Sequence, residues 1–521
     1  MLINLRRFAL FSKLLSSTIA CLLSCTLFAD SSPLKLLDDE WLEVKTESFH
    51  IITDADENYA KAFAHDLEAF RRFAQMFINS KNIEGVNRYK IFVIKKAAHF
   101  RRIDIGSNRY QAAFTFSRHD GNFSVVKASD FKTKKKENNS ARQTLFGVYV
   151  NFLLRNTGNT TNYPLWYRGG LNSFLSATVI DSNIIKYGMR TERYLWTVNR
   201  LRVIPIEEIF KATQHPKKIA KRSEFHASSW ALQHYFFANP NYQKKVIKYL
   251  SLWNKGVDID KAFQAAFEMS YSDLGRLVKK HTKKRQYTYL TYEPEKPAVN
   301  DFHSIRKLPD SEIAFHLGQV MWLRHKSGRD EASVLLRKSI ELDPSSPTSQ
   351  SYALRHLWLK TKETDEIIQQ LGVIYPDHKD DPWLNALYGD LLFGKAWDTN
   401  GEESTKLLKQ ARSKFRKALR ADSAHLRAWE GLAQVYRKDP SLLSEGKGMQ
   451  EASTALQELA YRFGDMKYYF ELAKMYEQQQ QTEPAKNLYR HLAASRNAFT
   501  KKAKQSLSKL LENEKTAEAA N

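Results

Sequence analysis

Cysteine is almost missing from this chain of 521 residues: there are two, Cys21 and Cys25, and both lie in an apolar stretch near the start. A chain cut after Ala29 would contain no cysteine at all. Such a protein has no disulfide bond and no thiol chemistry to protect in an oxidising compartment.

The first 29 residues have the pattern of an export signal. Arg6, Arg7 and Lys13 supply positive charge beside the apolar stretch 14–28, and Ala29 is a small residue after which a signal peptidase would cut. The stretch is too short and too weakly flanked to favour a stable membrane span. The pattern predicts a cleaved signal and a periplasmic protein.

A second cleavage site stays open as an alternative. The residues Leu22-Leu23-Ser24-Cys25 resemble a bacterial lipobox, in which the cysteine becomes the lipidated first residue of the mature protein. A lipid anchor at Cys25 would attach the protein to the envelope. Both alternatives predict a protein that works outside the cytoplasm.

Negative charge is also in short supply. The 81 Lys and Arg residues outnumber the 57 Asp and Glu residues and give a net charge of +24. Basic residues cluster at 132–136, 217–222 and 279–285. In an exported protein the nearest polyanions are lipid headgroups or envelope polymers, so no nucleic-acid partner is expected. The alternative is that these clusters are solvated faces.

The chain lacks the common hydrolase motifs. None of its 15 histidines has another histidine four residues later, so H-E-x-x-H and H-x-x-E-H are both absent. His226 and His234 lie eight residues apart on a predicted helix, which separates them by two turns. The chain also lacks G-x-S-x-G, the motif that marks a nucleophilic serine.

Two segments nevertheless follow the order of a metalloprotease site. Residues 141–155 read A-R-Q-T-L-F-G-V-Y-V-N-F-L-L-R, and residues 163–177 read Y-P-L-W-Y-R-G-G-L-N-S-F-L-S-A. They resemble the H-E-Y-x-H helix and the next helix, P-x-W-x-x-E-G-x-A, of the peptidase MA-like (gluzincin) zinc metalloproteases. The S-W-A segment at 227–235 resembles a later helix of that family. The resemblance covers about residues 40–290 and implies an α+β fold for them.

The ligand positions implied by this resemblance are degenerate. Gly147, Val148 and Asn151 stand where the family has His, Glu and His, and Gly169 stands where it has the third ligand, Glu. A catalytic zinc needs three protein ligands, and a general base must reach the metal-bound water. Because these four residues supply neither, we expect no metal, no cofactor and no catalysis.

The vestigial cleft is expected to be lined by Tyr149, Asn151, Tyr167 and Arg168. It would then serve as a binding or structural module. The alternative is an active envelope hydrolase, a metallopeptidase with displaced ligands.

Periodicity in the first part of the chain agrees with an α+β domain. The pattern predicts one or two strands at 41–53, a helix at 55–78, a strand at 88–95 and a hairpin at 112–126. A small sheet followed by helices is the predicted layout.

The second part of the chain is built from helical repeats. Trp429, Leu432, Ala433 and Tyr436 form W-x2-L-A-x2-Y, and the pattern returns with Tyr in the first place at 469–476. This resembles the tetratricopeptide (TPR) family, whose stacked helix pairs bury a shared core and whose concave surface usually holds peptides. We expect four or five units, of which the one at 346–380 fits the consensus least well.

Together these patterns predict five segments. They are a signal peptide at 1–29, a degenerate peptidase MA-like domain at 30–290, a linker at 291–301, an all-α TPR solenoid at 302–510 and a frayed tail at 511–521. The function that follows is an exported, inactive protease-like scaffold that binds a protein or peptide through its repeats. Binding of anionic envelope polymers is an alternative.

Overall fold

The computed structural model describes residues 32–78, 89–104, 113–118, 120–128, 140–155, 163–181, 184–200, 204–212, 215–294, 302–324, 326–463, 465–494 and 497–520. The expected signal at 1–29, with Cys25, and the basic cluster at 132–136 lie outside the described residues.

A six-stranded mixed sheet organises the first part of the chain, with the strand order β4-β5-β3-β2-β1-β9. Its strands are β1 (Leu42–Thr46), β2 (Phe49–Thr53), β3 (Tyr89–Ile94), β4 (Ala113–Arg118), β5 (Gly121–Lys127) and a later strand, β9 (Phe302–Lys307). Strands β2, β3 and β5 run parallel to one another in the middle of the sheet. Strand β1 pairs antiparallel with β2 and β9, and β4 pairs antiparallel with β5. The predicted strands and hairpin are confirmed.

Both faces of this sheet are buried. Successive side chains of a strand point to opposite faces, so Ile51 and Ile91 join one core while Ile52, Phe92 and Ile94 join another. Helix α1 (Glu57–Ile78) supplies Phe63, Leu67 and Phe70 to the first core. The predicted amphipathic helix at 55–78 is therefore confirmed.

Further helices and a three-stranded sheet complete the first part. The helices are α2 (Ala97–Ile103), α3 (Ser140–Arg155), α4 (Leu165–Ser176), α5 (Glu192–Arg200), α6 (Ile206–Lys211), α7 (Ile219–Phe237), α8 (Asn241–Asn254), α9 (Ile259–Phe267) and α10 (Tyr271–Thr282). The small sheet has β6 (Val179–Asp181), β7 (Ile184–Tyr187) and β8 (Leu290–Tyr292).

Five consecutive helix pairs and a last helix follow in the described residues. They are α11 (Asp310–Arg324) with α12 (Arg329–Leu342), α13 (Pro347–Thr361) with α14 (Thr364–Ile374), α15 (Pro382–Asp398) with α16 (Gly401–Ala421), α17 (Leu426–Lys438) with α18 (Gly448–Phe463), α19 (Met466–Gln478) with α20 (Thr482–Ala494), and α21 (Thr500–Ala520). Apolar residues of the repeat pattern fill the spaces between helices, as Leu432, Ala433 and Tyr436 do in one buried cluster.

The predicted boundary at 302 is wrong. Strand β9 pairs along β1 at the edge of the sheet, and α11 covers the second sheet face with Ile313, Leu317 and Met321. The predicted linker at 291–301 would separate two domains, but the chain returns to the sheet before the repeats begin. The sheet and the first repeat therefore share one core.

Two smaller boundaries also differ from expectation. The predicted linker begins inside β8, and its residues 295–301 lie outside the described ones. The tail expected to be frayed at 511–521 is helical to Ala520, because it continues α21. In the parts of the chain that the structure covers, no helix is both long and apolar enough to cross a membrane.

Candidate functional site

The four degenerate positions lie on two helices that pack against each other, α3 and α4. A Cβ atom at Gly147 would lie 2.7 Å from Oδ1 of Asn172 on α4. Asn172 also donates a hydrogen bond to the carbonyl of Gly147. The place expected for the first ligand is thus occupied by the neighbouring helix.

Gly169 faces a different neighbour. A Cβ atom there would lie 3.6 Å from Nδ1 of His226 and 4.0 Å from Ser229 Cβ, both on α7. Val148 and Asn151 are half-buried on α3. A side chain at position 147 would therefore meet α4, and one at position 169 would meet α7.

Tyr149 is not a cleft residue, which corrects the sequence-based expectation. Its side chain is 4% exposed and packs within the core, with its ring 5.2 Å from that of Phe49 and 5.6 Å from that of Phe152. Burial raises the pKa of its hydroxyl far above the usual range. The residue stabilises the contact between α3 and the sheet.

Tyr167 and Arg168 are half-buried on α4. The Tyr167 ring stacks on Tyr163 at 5.4 Å, and burial raises its pKa to about 12. After burial, the charge of Arg168 is the main factor that lowers the pKa of His215. With Asn151, these two residues are the part of the expected cleft that remains partly accessible.

The histidines near this region have separate partners. The His226 ring lies 5.1 Å from that of His215, and burial, then His215 and nearby arginines, lower the His226 pKa to about 4. Nδ1 of His234 instead lies 3.0 Å from Nε2 of His281, and its Nε2 lies 3.0 Å from the Gly188 carbonyl. His226 and His234 therefore do not form one site.

Sequence reasoning missed a contact between the hairpin turn and the repeats. Asp120, between β4 and β5, accepts hydrogen bonds from the Tyr352 hydroxyl at 2.9 Å and from Arg355 Nη1 at 3.1 Å. The Asp120 side chain is 2% exposed. Its partners are 232 and 235 residues away, so no local pattern could have revealed them. The sheet thus occupies part of the repeat surface.

An apolar groove opens where helices α12, α13 and α14 meet. It has a volume of about 600 Å³. Arg337 and Lys360 are exposed at its rim. Its apolar lining consists of Val334, Leu336, Ile340, Ala353, Leu354, Leu357 and Ile374. Helices α13 and α14 form the unit that fits the repeat consensus least well, so the departure in sequence coincides with a surface opening.

No protein-family model and no curated protein sequence matches this chain. Among solved structures, it is similar to a thermophilic TPR protein of Thermus thermophilus, with 16% sequence identity and a TM-score of 0.27. That match covers 39% of this chain and 98% of the other. A match with this TM-score carries no argument about the fold. The helix pairs are instead defined by the contacts between their two helices in this structure.

Proposed function

We propose that this protein is a non-catalytic binding protein whose repeat groove holds a short segment of a partner protein. The groove between α12, α13 and α14 carries the proposal. Its volume of about 600 Å³ lies within the range of ligand pockets, roughly 300–1,000 Å³. Its aliphatic lining favours apolar side chains of the partner.

The charges at the rim of the groove indicate which partner segments would complement it. Arg337 and Lys360 are exposed there, whereas Asp330 is the one acidic residue among the groove residues. A segment that places two or three apolar side chains in the groove and acidic residues beside them would complement this surface. We therefore propose an apolar segment with acidic flanks as the ligand.

The proposal places this binding outside the cytoplasm. The export pattern at 1–29, with cleavage after Ala29 or lipidation of Cys25, supports that location. The ordered motifs around Gly147 and Gly169 support descent of the first part from peptidase MA-like proteins, and the Gly, Val and Asn residues at the ligand positions support loss of catalysis.

Peptide display against the immobilised full chain tests the groove. We expect enrichment of sequences that combine apolar and acidic residues, because both features of the groove select them. Val334→Asp, inside the groove, is expected to weaken the selected peptides at least tenfold, since it buries a charge beside their apolar side chains.

Val373→Asp is the matched control. Val373 is 78% exposed and is not among the groove residues, so this change should leave binding within twofold. Arg337→Glu with Lys360→Glu should weaken acidic peptides and reduce the salt dependence of binding. Equal effects of the two valine changes would contradict the groove as the binding surface.

The cluster at 279–285 supports a second candidate, binding of anionic envelope polymers. Its lysines 279, 280, 283 and 284 and Arg285 are exposed at the end of α10. Polymer binding through them would be lost at high salt, because exposed charges are screened. Charge reversal at Lys283 and Lys284 should abolish it and leave peptide binding intact.

A further inference from the structure

Two carboxylates and an imidazole meet where the parallel strands β2 and β3 end. Asp54 follows β2, His99 lies on α2 just after β3, and Asp39 comes from the turn before β1. The Oδ2 atoms of Asp39 and Asp54 each lie 3.3 Å from Nδ1 of His99. The three atoms lie within 4.8 Å of one another, close enough to share one ion.

The outer oxygens of both carboxylates are fixed by other donors. The backbone N–H of Lys95 donates to Oδ1 of Asp54, and the Lys96 ammonium group donates to Oδ1 of Asp39 at 2.5 Å. The Oδ2 atom of each carboxylate therefore faces His99. Outer hydrogen bonds of this kind orient the ligands of protein metal sites.

The cluster has too few hydrogen-bond donors of its own. Nδ1 of His99 can carry only one hydrogen, and its hydrogen-bond partner is Asp54. Oδ2 of Asp39 is buried and receives no hydrogen bond from the described residues. The side chains of Asp54 and His99 are 1% and 9% exposed. A buried carboxylate oxygen without a partner is costly, so the cluster favours an added cation.

We propose that Asp39, Asp54 and His99 bind one first-row divalent cation, Zn²⁺ or Mn²⁺. Two carboxylate oxygens and one imidazole nitrogen suit such ions. The 3.3 Å separations agree with ligands that each lie about 2.0–2.2 Å from one ion. The Asp39 side chain is 23% exposed and provides access from solvent.

This proposal revises the expectation of no metal, which rested on Gly147, Val148, Asn151 and Gly169 and on the absence of histidines four residues apart. Those positions lie on α3 and α4, whereas the new cluster lies beside α2, at the ends of the central strands β2 and β3. A metal found in the protein is therefore to be assigned by substitution at each place separately.

A second cluster, Glu43 with His50 and His316, provides an internal control. Its ligand atoms are equally close, but Glu43 already forms ion pairs with Lys45 and Arg306 at 3.1 and 2.7 Å. The buried Lys90 ammonium group lies 3.4 Å from Nδ1 of His316. Three cations at this cluster repel a metal ion, whereas among the described residues Lys96, with a side chain 55% exposed, is the one cation paired with the proposed ligands. The Glu43 cluster is therefore expected to bind none.

The test is metal binding by the full-length protein after removal of metal with EDTA. Calorimetric titration with ZnCl₂ and with MnCl₂, together with elemental analysis after dialysis, should show one ion per chain for at least one of the two. Asp39→Asn and His99→Gln should each weaken binding more than the roughly 10–100-fold typical of losing an outer hydrogen-bond partner. His50→Gln and Asn151→Ala should bind as the unchanged protein does.

Absence of binding in the unchanged protein overturns the proposal. So does equal binding in Asp39→Asn and the unchanged protein, or a loss in His50→Gln as large as that in Asp39→Asn. Thermal unfolding of each variant without metal checks that it is folded. If His99→Gln does not fold, the Asp39→Asn variant decides the test. Its fold should be kept, because the Asp39 side chain is partly exposed and Asn has nearly the same size.

Discussion

At the scale of single residues, Gly147 shows how an absent side chain fits two helices together. Its missing Cβ leaves space for the Asn172 amide on α4, which donates to the Gly147 carbonyl. A ligand of the metalloprotease type at this position would have to displace that amide. The degenerate position has therefore become part of a helix contact.

Gly147→Ala is expected to destabilise the protein by about 1 kcal/mol. Alanine in a helix gains roughly 0.5–1 kcal/mol over glycine, but crowding a packed contact costs about 1–3 kcal/mol, and the new Cβ would lie 2.7 Å from Asn172 Oδ1. Chemical denaturation measures the difference. Gly372→Ala is the control on α14, with no atom within 4 Å of its Cβ, and should stabilise. A stabilised Gly147→Ala protein would contradict the close contact.

Asp120 is the residue that links the hairpin electrostatically to the repeats. Although burial alone would raise its pKa, Arg355 and Arg427 and the hydrogen bond from Tyr352 lower it. A lowered carboxyl pKa contributes stability above the unfolded value, about 3.9, and that contribution is lost as the pH falls through the folded value.

Asp120→Ala is expected to reduce the free energy of unfolding by about 3–5 kcal/mol, because it leaves Arg355, whose side chain is 13% exposed, without its carboxylate partner. Thermal and urea unfolding measure the change. Asp365→Ala is the control: Asp365 is 76% exposed and pairs with Lys395, so its loss should cost less than about 1 kcal/mol. Similar losses in the two variants would show that the hairpin contact contributes no more than a surface ion pair.

At the scale of elements, the periodicity of α1 and the short apolar runs of β2 and β3 were enough to predict them. The apolar positions of α1 recur on one face, and those of the strands fill both sheet faces. The boundary at 302 was wrong because β9 gains its hydrogen bonds from β1, which lies some 260 residues earlier. No local signal marks such a pairing.

A fragment that begins at residue 302 should therefore be poorly folded. It would expose Ile313, Leu317 and Met321, which α11 buries against the sheet. A fragment that begins at residue 380 keeps the clusters between α15 and α21 and should fold as a helical array. Circular dichroism, cooperative melting and binding of a hydrophobic dye distinguish the two. A fragment from 302 that melts cooperatively and binds no dye would show that the sheet is dispensable for α11.

At the scale of the whole molecule, buried and half-buried histidines should make stability depend on pH. Burial lowers the pKa of His50, His226, His234 and His281 to about 4. These residues stay neutral in the folded state while the unfolded chain takes up protons below about 6.5. Stability should therefore be greatest above pH 6.5 and fall as the pH drops toward 4.

The midpoint of thermal unfolding, followed from pH 7.5 to 4, checks this expectation. His234 and His281 need a single hydrogen between their facing nitrogens, so protonation of both sides breaks that contact. Replacing both by Gln should flatten part of the profile at some cost in stability at pH 7.5. An unchanged slope in the double variant would assign the pH dependence to other groups.

The sequence by itself determined the α+β and helical halves, because apolar runs in strands and helix periodicity are local properties of the chain. It also determined which side chains stand at 147, 148, 151 and 169, and hence the prediction that they bind no metal. Its export signal and its kinship with metalloproteases remain predictions.

Only the tertiary structure decided how the halves join and where the candidate sites lie. Tyr149 belongs to the core because α3 packs on the sheet, and Asp120 meets Arg355 because the hairpin reaches the repeats. Asp54 and His99 meet because they follow the ends of the parallel strands β2 and β3, and Asp39 joins them because β1, antiparallel to β2, begins beside the end of β2. Contacts between residues distant in sequence depend on the packing of whole elements, which periodicity does not specify.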